Sequence, residues 1–223
     1  MDPSSVIIPV SESIGTVSGL LEIPKSPRAL VVLAHGAGAG MRHKFMESLA
    51  AALASKSIGT LRYNFPFTEN KKGRPDPPAI AAKTVAAALR IANTLHPDIP
   101  VFAAGKSFGG RMSSHYLSKE SPSFVQGIIF YGFPLHAPGK EGIERAAHLA
   151  AVKVPMLFLQ GTRDALATFP LITQVCEGLS LADLVPFEGA DHSFKAGKQE
   201  ITPGLAEATD TWLHGLLQKP TTD

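Results

Sequence analysis

Short apolar runs alternate along this chain with longer stretches whose apolar residues recur every three or four positions. Val6–Val10 and Gly15–Ile23 read as two early strands, an antiparallel pair at one edge of a sheet. Ala29–Ala34 is apolar throughout, as expected of a strand covered on both faces. In Met41–Ser57 the spacing of Phe45, Leu49 and Leu53 predicts a helix. Gly59–Phe65 is the next strand. A polar loop from Thr68 to Pro78 follows and ends at Pro77-Pro78, a strong breaker. An alanine-rich helix is predicted over Ala79–Leu95. Strands follow at Ile99–Ala104, Gln126–Gly132, Val154–Gln160 and Ala182–Phe187, with helices at Gly110–Leu117, Phe169–Leu179 and Pro203–Leu217. In the last helix Leu205, Ala208, Trp212 and Leu216 share one face, which predicts core. The alternation predicts an α/β fold: a doubly wound, mostly parallel sheet with helices on both faces. No internal repeat or linker divides it, so residues 1–223 are expected to form one domain.

Composition narrows the function more than the fold. With 44% apolar and 18% charged residues, the chain reads as globular. A net charge of +2 with scattered Lys and Arg argues against a nucleic-acid partner. Lys71-Lys72-Gly73-Arg74 reads as a solvated loop. The single cysteine, Cys176, has no internal disulfide partner and reads as a packed thiol. The amino-terminal residues carry no basic region, and no apolar stretch has the length of a membrane span. A cytoplasmic chain without a membrane partner is expected.

The chemistry concentrates at Gly105-Lys106-Ser107-Phe108-Gly109, which reads G-x-S-x-G between a predicted strand and a predicted helix. That is the layout of a nucleophile elbow: a serine on a strained turn, with glycines where strand and helix pack too closely for side chains. Two nucleotide-binding readings fail here. A P-loop would need glycine where Pro100 stands. Gly36-Ala37-Gly38-Ala39-Gly40 lacks the last glycine of a dinucleotide fingerprint, since Met41 and His43 occupy the two possible positions. No metal-ligand spacing occurs, and no cofactor is implied.

A serine hydroxyl needs a base, and the base needs an orienting carboxylate. In a doubly wound sheet both come from loops at the carboxyl ends of strands. Asp164 follows one predicted strand and His192 follows the last, giving the order Ser107, Asp164, His192. A turn or helix-capping role is the competing reading for Asp164. Asp191 is a rival carboxylate, but as the sequence neighbour of His192 it is poorly placed to reach the far ring nitrogen. Oxyanion donors are expected from the Phe108 amide at the helix start and from the loop His35–Gly40, with Ala37 first and Gly38 second. His35 reads as structural. Gly36, Tyr63, Phe67 and Phe133, at strand ends, are expected to contact substrate. Lys106, Arg163, Arg42 and His43 flank the site and are expected to be solvated, with recognition of an anionic acyl group as the alternative.

The segments His35–Gly40, Gly105–Gly109, Gly161–Asp164 and Gly189–His192 resemble the oxyanion, elbow, acid and histidine loops of the α/β-hydrolase superfamily. The compact size looks like its dienelactone-hydrolase-like members, although Ser107 stands where those use cysteine. More narrowly, His35–Gly40, Arg62–Phe67 and Phe133–His136 resemble a subgroup that includes subunit three of the NSL histone-acetyltransferase complex and a testis-expressed relative. The resemblance implies a serine hydrolase acting on small esters or thioesters. A non-catalytic interaction module and an acyltransferase or perhydrolase are the alternatives. Only 21 residues, Phe133 to Lys153, separate two strands where many superfamily members insert a lid. A short helix around Glu141–Ala150 nearly fills them, which predicts an open site.

Overall fold

The computed structural model describes residues 2–218, so the span expected as one domain extends past them at both ends. Eight strands form one sheet: β1 (Ser4–Ser11), β2 (Gly15–Glu22), β3 (Ala29–Ala34), β4 (Ile58–Tyr63), β5 (Val101–Lys106), β6 (Val125–Tyr131), β7 (Met156–Gly161) and β8 (Ala182–Phe187). Their order across the sheet is β1-β2-β4-β3-β5-β6-β7-β8. β2 pairs antiparallel with both β1 and β4, and every other pairing is parallel. The helices are α1 (Lys44–Ala54), α2 (Pro66–Glu69), α3 (Pro78–Leu95), α4 (Phe108–Leu117), α5 (Phe169–Glu177) and α6 (Thr202–Leu217). This is the α/β-hydrolase fold.

Strand parity divides the core in two. Leu30, Val32 and Ala34 of β3 point to the side covered by α3, while Ala29, Val31 and Leu33 point to the side covered by α1 and α6. β5, β6 and β7 alternate in the same way, with Phe102, Ile129 and Leu157 on the α1/α6 side and Ala103, Ile128 and Met156 on the other. Both faces of these strands are therefore buried, which is why they read as unbroken apolar runs. Leu205 and Leu213 of α6 fill the α1/α6 side, joined by the partly buried Trp212 and Leu216.

Three sequence expectations need adjustment. The helix expected over Met41–Ser57 begins only at Lys44, because residues 41–43 form a turn with the His43 ring capping the Phe45 amide at 3.3 Å. The loop expected from Thr68 opens with the end of α2, which is nucleated by Pro66 at its first turn. The segment between β6 and β7 carries a 3-10 helix, Glu144–Ala151, and no multi-helix cap. Among the described residues, no helix is long and apolar enough to cross a membrane.

Close packing at one point fixes the centre of the sheet. A Cβ on Gly105 would collide with the backbone nitrogen of Gly110, and one on Gly109 would meet the carbonyl oxygens of Ala34 and His35. The start of α4 therefore lies directly against the ends of β5 and β3. Gly109→Ala is expected to cost about 2–3 kcal/mol of stability through this overlap. Gly38→Ala, where a Cβ meets nothing within 4 Å, should change stability by no more than about 0.5 kcal/mol. Urea midpoints of the two variants make the comparison, and equal midpoints would contradict the packing argument.

Candidate active site

Ser107 sits between the last residue of β5 and the first of α4, with φ 51° and ψ −115°. Such a backbone costs a non-glycine residue about 1–3 kcal/mol. Two backbone hydrogen bonds hold it there: Ser107 N donates to Tyr131 O at 3.3 Å, and Arg111 N donates to Ser107 O at 3.1 Å. The turn lifts the side chain off the sheet toward the loops after β3, β7 and β8.

The structure brings Ser107, His192 and Asp164 together. Ser107 Oγ lies 2.8 Å from His192 Nε2, and His192 Nδ1 lies 2.7 Å from Asp164 Oδ2. With Nδ1 assigned the proton by its carboxylate neighbour, Nε2 faces the hydroxyl with its lone pair. Asp164 is buried, whereas the His192 side chain is 21% exposed. The two oxygens of Asp164 have different partners. Oδ1 accepts the Leu166 amide at 2.7 Å as a turn residue, and Oδ2 accepts His192. Gln160 Nε2 also donates to Oδ2, at 2.6 Å, while Gln160 Oε1 accepts the Phe133 amide at 2.9 Å. Gln160 escaped the sequence reading; its signal was a polar side chain ending an apolar strand. Asp191 instead organises the histidine loop, its Oδ1 accepting the amides of Ser193 at 2.8 Å and Lys195 at 2.9 Å.

The loop after β3 rests on a polar and aromatic cradle. His35 Nδ1–H donates to Gly36 O at 2.7 Å, and Nε2 accepts the Phe65 amide at 3.2 Å. The His35 ring also meets Phe65 and Phe67 edge-on, at centroid distances of 5.1 and 5.6 Å. Burial pushes the His35 imidazole down to about 4, so it is neutral at neutral pH and keeps this donor–acceptor pattern. Asn64 Oδ1 accepts the Met41 amide at 2.9 Å, and the buried Arg62 donates to Met41 O at 3.0 Å. Above the cradle, the Ala37 and Phe108 amides donate to no protein acceptor among the described residues.

A cleft of about 280 Å³ opens over Ser107, lined among others by Gly36, Ala37, Phe45, Met46 and Leu166. Tyr63, Phe67 and Phe133 do not line the cleft; all are buried, at 0%, 4% and 1% exposure. Tyr63 follows strand parity into the α3 side of the core. Phe67 packs beneath the loop against His35, Phe65 and Phe108. Phe133 joins Phe130 and Phe158. The wall they were expected to form comes instead from Phe45 and Met46 at the start of α1 and from Leu166 after the acid loop.

Lys106 also departs from expectation. It is not a freely solvated charge but lines the cleft, donating from Nζ to His192 O at 2.5 Å and lying 5.4 Å from the Phe194 ring centroid. Burial pulls its ammonium down to about 8, against the opposing pull of Asp164 and Asp191. Arg163 and Arg42 are exposed, as expected. Among the described residues, no group of three or more His, Cys, Asp or Glu side chains is placed to hold a metal ion.

A doubly wound sheet with a serine on a strained strand–helix turn, and a histidine and a buried aspartate on later strand ends, defines the hydrolase class. The α/β hydrolase domain family matches residues 27–209, and the chain belongs to it. A segment of 64 residues is 34% identical to the AB hydrolase superfamily protein YisY of Bacillus subtilis, covering 28% of this chain and 24% of that relative. The fold is similar to dienelactone hydrolase from Anabaena variabilis, with a TM-score of 0.76 and 21% identity over 96% of this chain and 99% of that one. It is also similar to an alpha-beta serine hydrolase homologue from Coxiella burnetii, with a TM-score of 0.73 and 22% identity over 96% of each chain.

The neutral His35 has a consequence for stability. Its folded pKa of about 4 lies below the ordinary 6.5, so the unfolded chain binds the proton more readily. The contribution is complete above pH 6.5 and is lost as pH falls from 6.5 through 4, reaching about 3 kcal/mol at most. His148, also pushed down to about 4, adds to the same slope. The difference between wild type and His35→Gln isolates His35: the variant should lose less stability between pH 7.5 and 4.5 in urea titrations. Parallel losses would overturn the assignment.

Proposed function

We propose that the protein is a serine hydrolase that cleaves small carboxylic esters or thioesters through an acyl-enzyme. The observation that carries this reading is the continuous hydrogen-bonded chain from Ser107 Oγ through His192 to the buried Asp164. His192 Nε2 takes the hydroxyl proton as Oγ attacks the carbonyl carbon. The Asp164 carboxylate stabilises the resulting imidazolium and keeps its ring in register. The oxyanion is met by the amides of Phe108 and Ala37, the first of which also carries the positive end of the α4 dipole. His192 then gives its proton to the departing alcohol or thiol, and the acyl group stays on Oγ. Water, deprotonated by the same imidazole, attacks the acyl-enzyme, releasing the acid and restoring the Ser107 proton.

The size of the cleft and the short segment between β6 and β7 support a small, open substrate site. We also propose that the chain is related to the subgroup that includes subunit three of the NSL complex. Support comes from the sequence alone, in the segments His35–Gly40, Arg62–Phe67 and Phe133–His136.

A fluorophosphonate probe tests the nucleophile: wild type should be labelled and Ser107→Ala should not. Labelling that survives the substitution would overturn the assignment, and an unlabelled wild type would favour a non-catalytic interaction module. His192→Ala should lower p-nitrophenyl acetate turnover by about a thousand-fold or more. Product analysis with added alcohol or peroxide distinguishes hydrolysis from acyl or peroxide transfer.

A further inference from the structure

A second cavity, of about 520 Å³, adjoins the cleft over Ser107 and shares His43, Phe45 and Ser193 with it. It lies between the start of α1 and the loop from His192 to α6. Its lining differs in character from that of the first. Lys44, Lys195 and Lys198 border it against a single carboxylate, Glu200. All three lysines are exposed, and none forms an ion pair among the described residues. The other lysine near this wall, Lys106, is committed to His192 O and lines only the first cleft. Phe45 and Phe194, stacked with centroids 6.0 Å apart and 11° between their planes, give the second cavity an apolar wall.

We propose that this cavity holds the phosphate-bearing leaving group of a thioester, while the smaller cleft holds its acyl group. The inference rests on the serine-hydrolase reading. Placement selects the leaving group over the acyl group: Ser193, shared by both cavities, directly follows His192, and His192 is the residue that returns its proton to the departing sulfur. A thiol carrying phosphates meets three unpaired ammonium groups, and its linker runs along the stacked phenyl rings. Such contacts are weakened by salt because the lysines are exposed. In the reaction Oγ adds to the thioester carbonyl as His192 Nε2 takes its proton, the acyl–sulfur bond then breaks from the tetrahedral adduct, and the departing thiolate takes that proton from His192. Water then hydrolyses the acyl-enzyme, so no further reactant is required.

The test compares acetyl-coenzyme A with S-acetylpantetheine, which keeps the thioester and its linker arm but lacks the phosphates and the nucleoside they carry. Wild type should prefer the former in kcat/KM by about ten-fold or more at low salt, an effect on the scale of a few exposed charge contacts. That ratio should fall toward one in 0.5 M salt (about 4 Å of screening length) and in Lys195→Ala/Lys198→Ala. Lys195→Arg/Lys198→Arg should keep it. Using a ratio removes any change common to both substrates. A wild-type ratio near one, or a ratio that survives removal of both lysines, would overturn the proposal. If neither thioester turns over, it is the hydrolase reading that fails. The cavity is then tested separately by calorimetry of coenzyme A with the Ser107→Ala protein, where absence of binding, or binding indifferent to the double alanine variant, would overturn it.

Discussion

The contact on which the rest of the site depends is the side-chain-free approach of β5, α4 and the end of β3. Gly105 and Gly109 leave no room for a Cβ, so the first turn of α4 sits against the carbonyls of Ala34 and His35. That approach forces Ser107 into its positive φ. It also brings the two stretches with uncommitted amides, one at Phe108 and one at Ala37, to the same edge of the sheet. A looser junction would relax the serine but separate it from the loop after β3. The strain is local, about 1–3 kcal/mol, and the surrounding parallel strands, buried on both faces, are what hold it.

The second constraint is that the three loops facing Ser107 are tied to one another as well as to their strands. Arg163 N donates to Ala190 O at 3.0 Å, and Gly161 permits the close approach of the Ala190 carbonyl, so the Asp164 and His192 loops are tied directly to each other. Lys106 reaches from the residue before Ser107 to the carbonyl of His192. The serine and histidine are thus connected twice, once through the Oγ–Nε2 contact and once through the lysine. Neutral His35 provides the corresponding tie for the loop after β3, linking it to Phe65, between β4 and α2.

The sheet, its helices and the trio of Ser107, Asp164 and His192 were legible because each rests on a local rule. Both-face burial writes continuous apolar strands, and functional side chains must follow strand ends. The cleft walls were not legible for the same reason. Tyr63, Phe67 and Phe133 also stand at strand ends, but being at a strand end does not decide which face a side chain takes. Parity sends Tyr63 inward, and the aromatic cradle under His35 claims Phe67. Gln160 and Lys106 belong to the site through partners at Asp164 and His192, and a relation between distant loops leaves no mark on local pattern. At Asp164 the turn contact and the His192 contact coexist, since a carboxylate has two oxygens and the turn uses only one.

Charge is distributed unevenly around this scaffold. Near Ser107 the walls are apolar, and the one ammonium present is neutralised in its effect by the His192 carbonyl, the Phe194 face and two aspartates within electrostatic reach. Beyond Phe45 and Ser193 the lysines are exposed and form no ion pair among the described residues. A largely apolar, weakly charged region is where amide dipoles act most strongly on a developing oxyanion. A solvated cationic rim is where an anionic group can be held without the penalty of burying it. The two requirements conflict within one cavity, and a boundary formed by Phe45 and the residue after His192 allows both to be met a short distance apart.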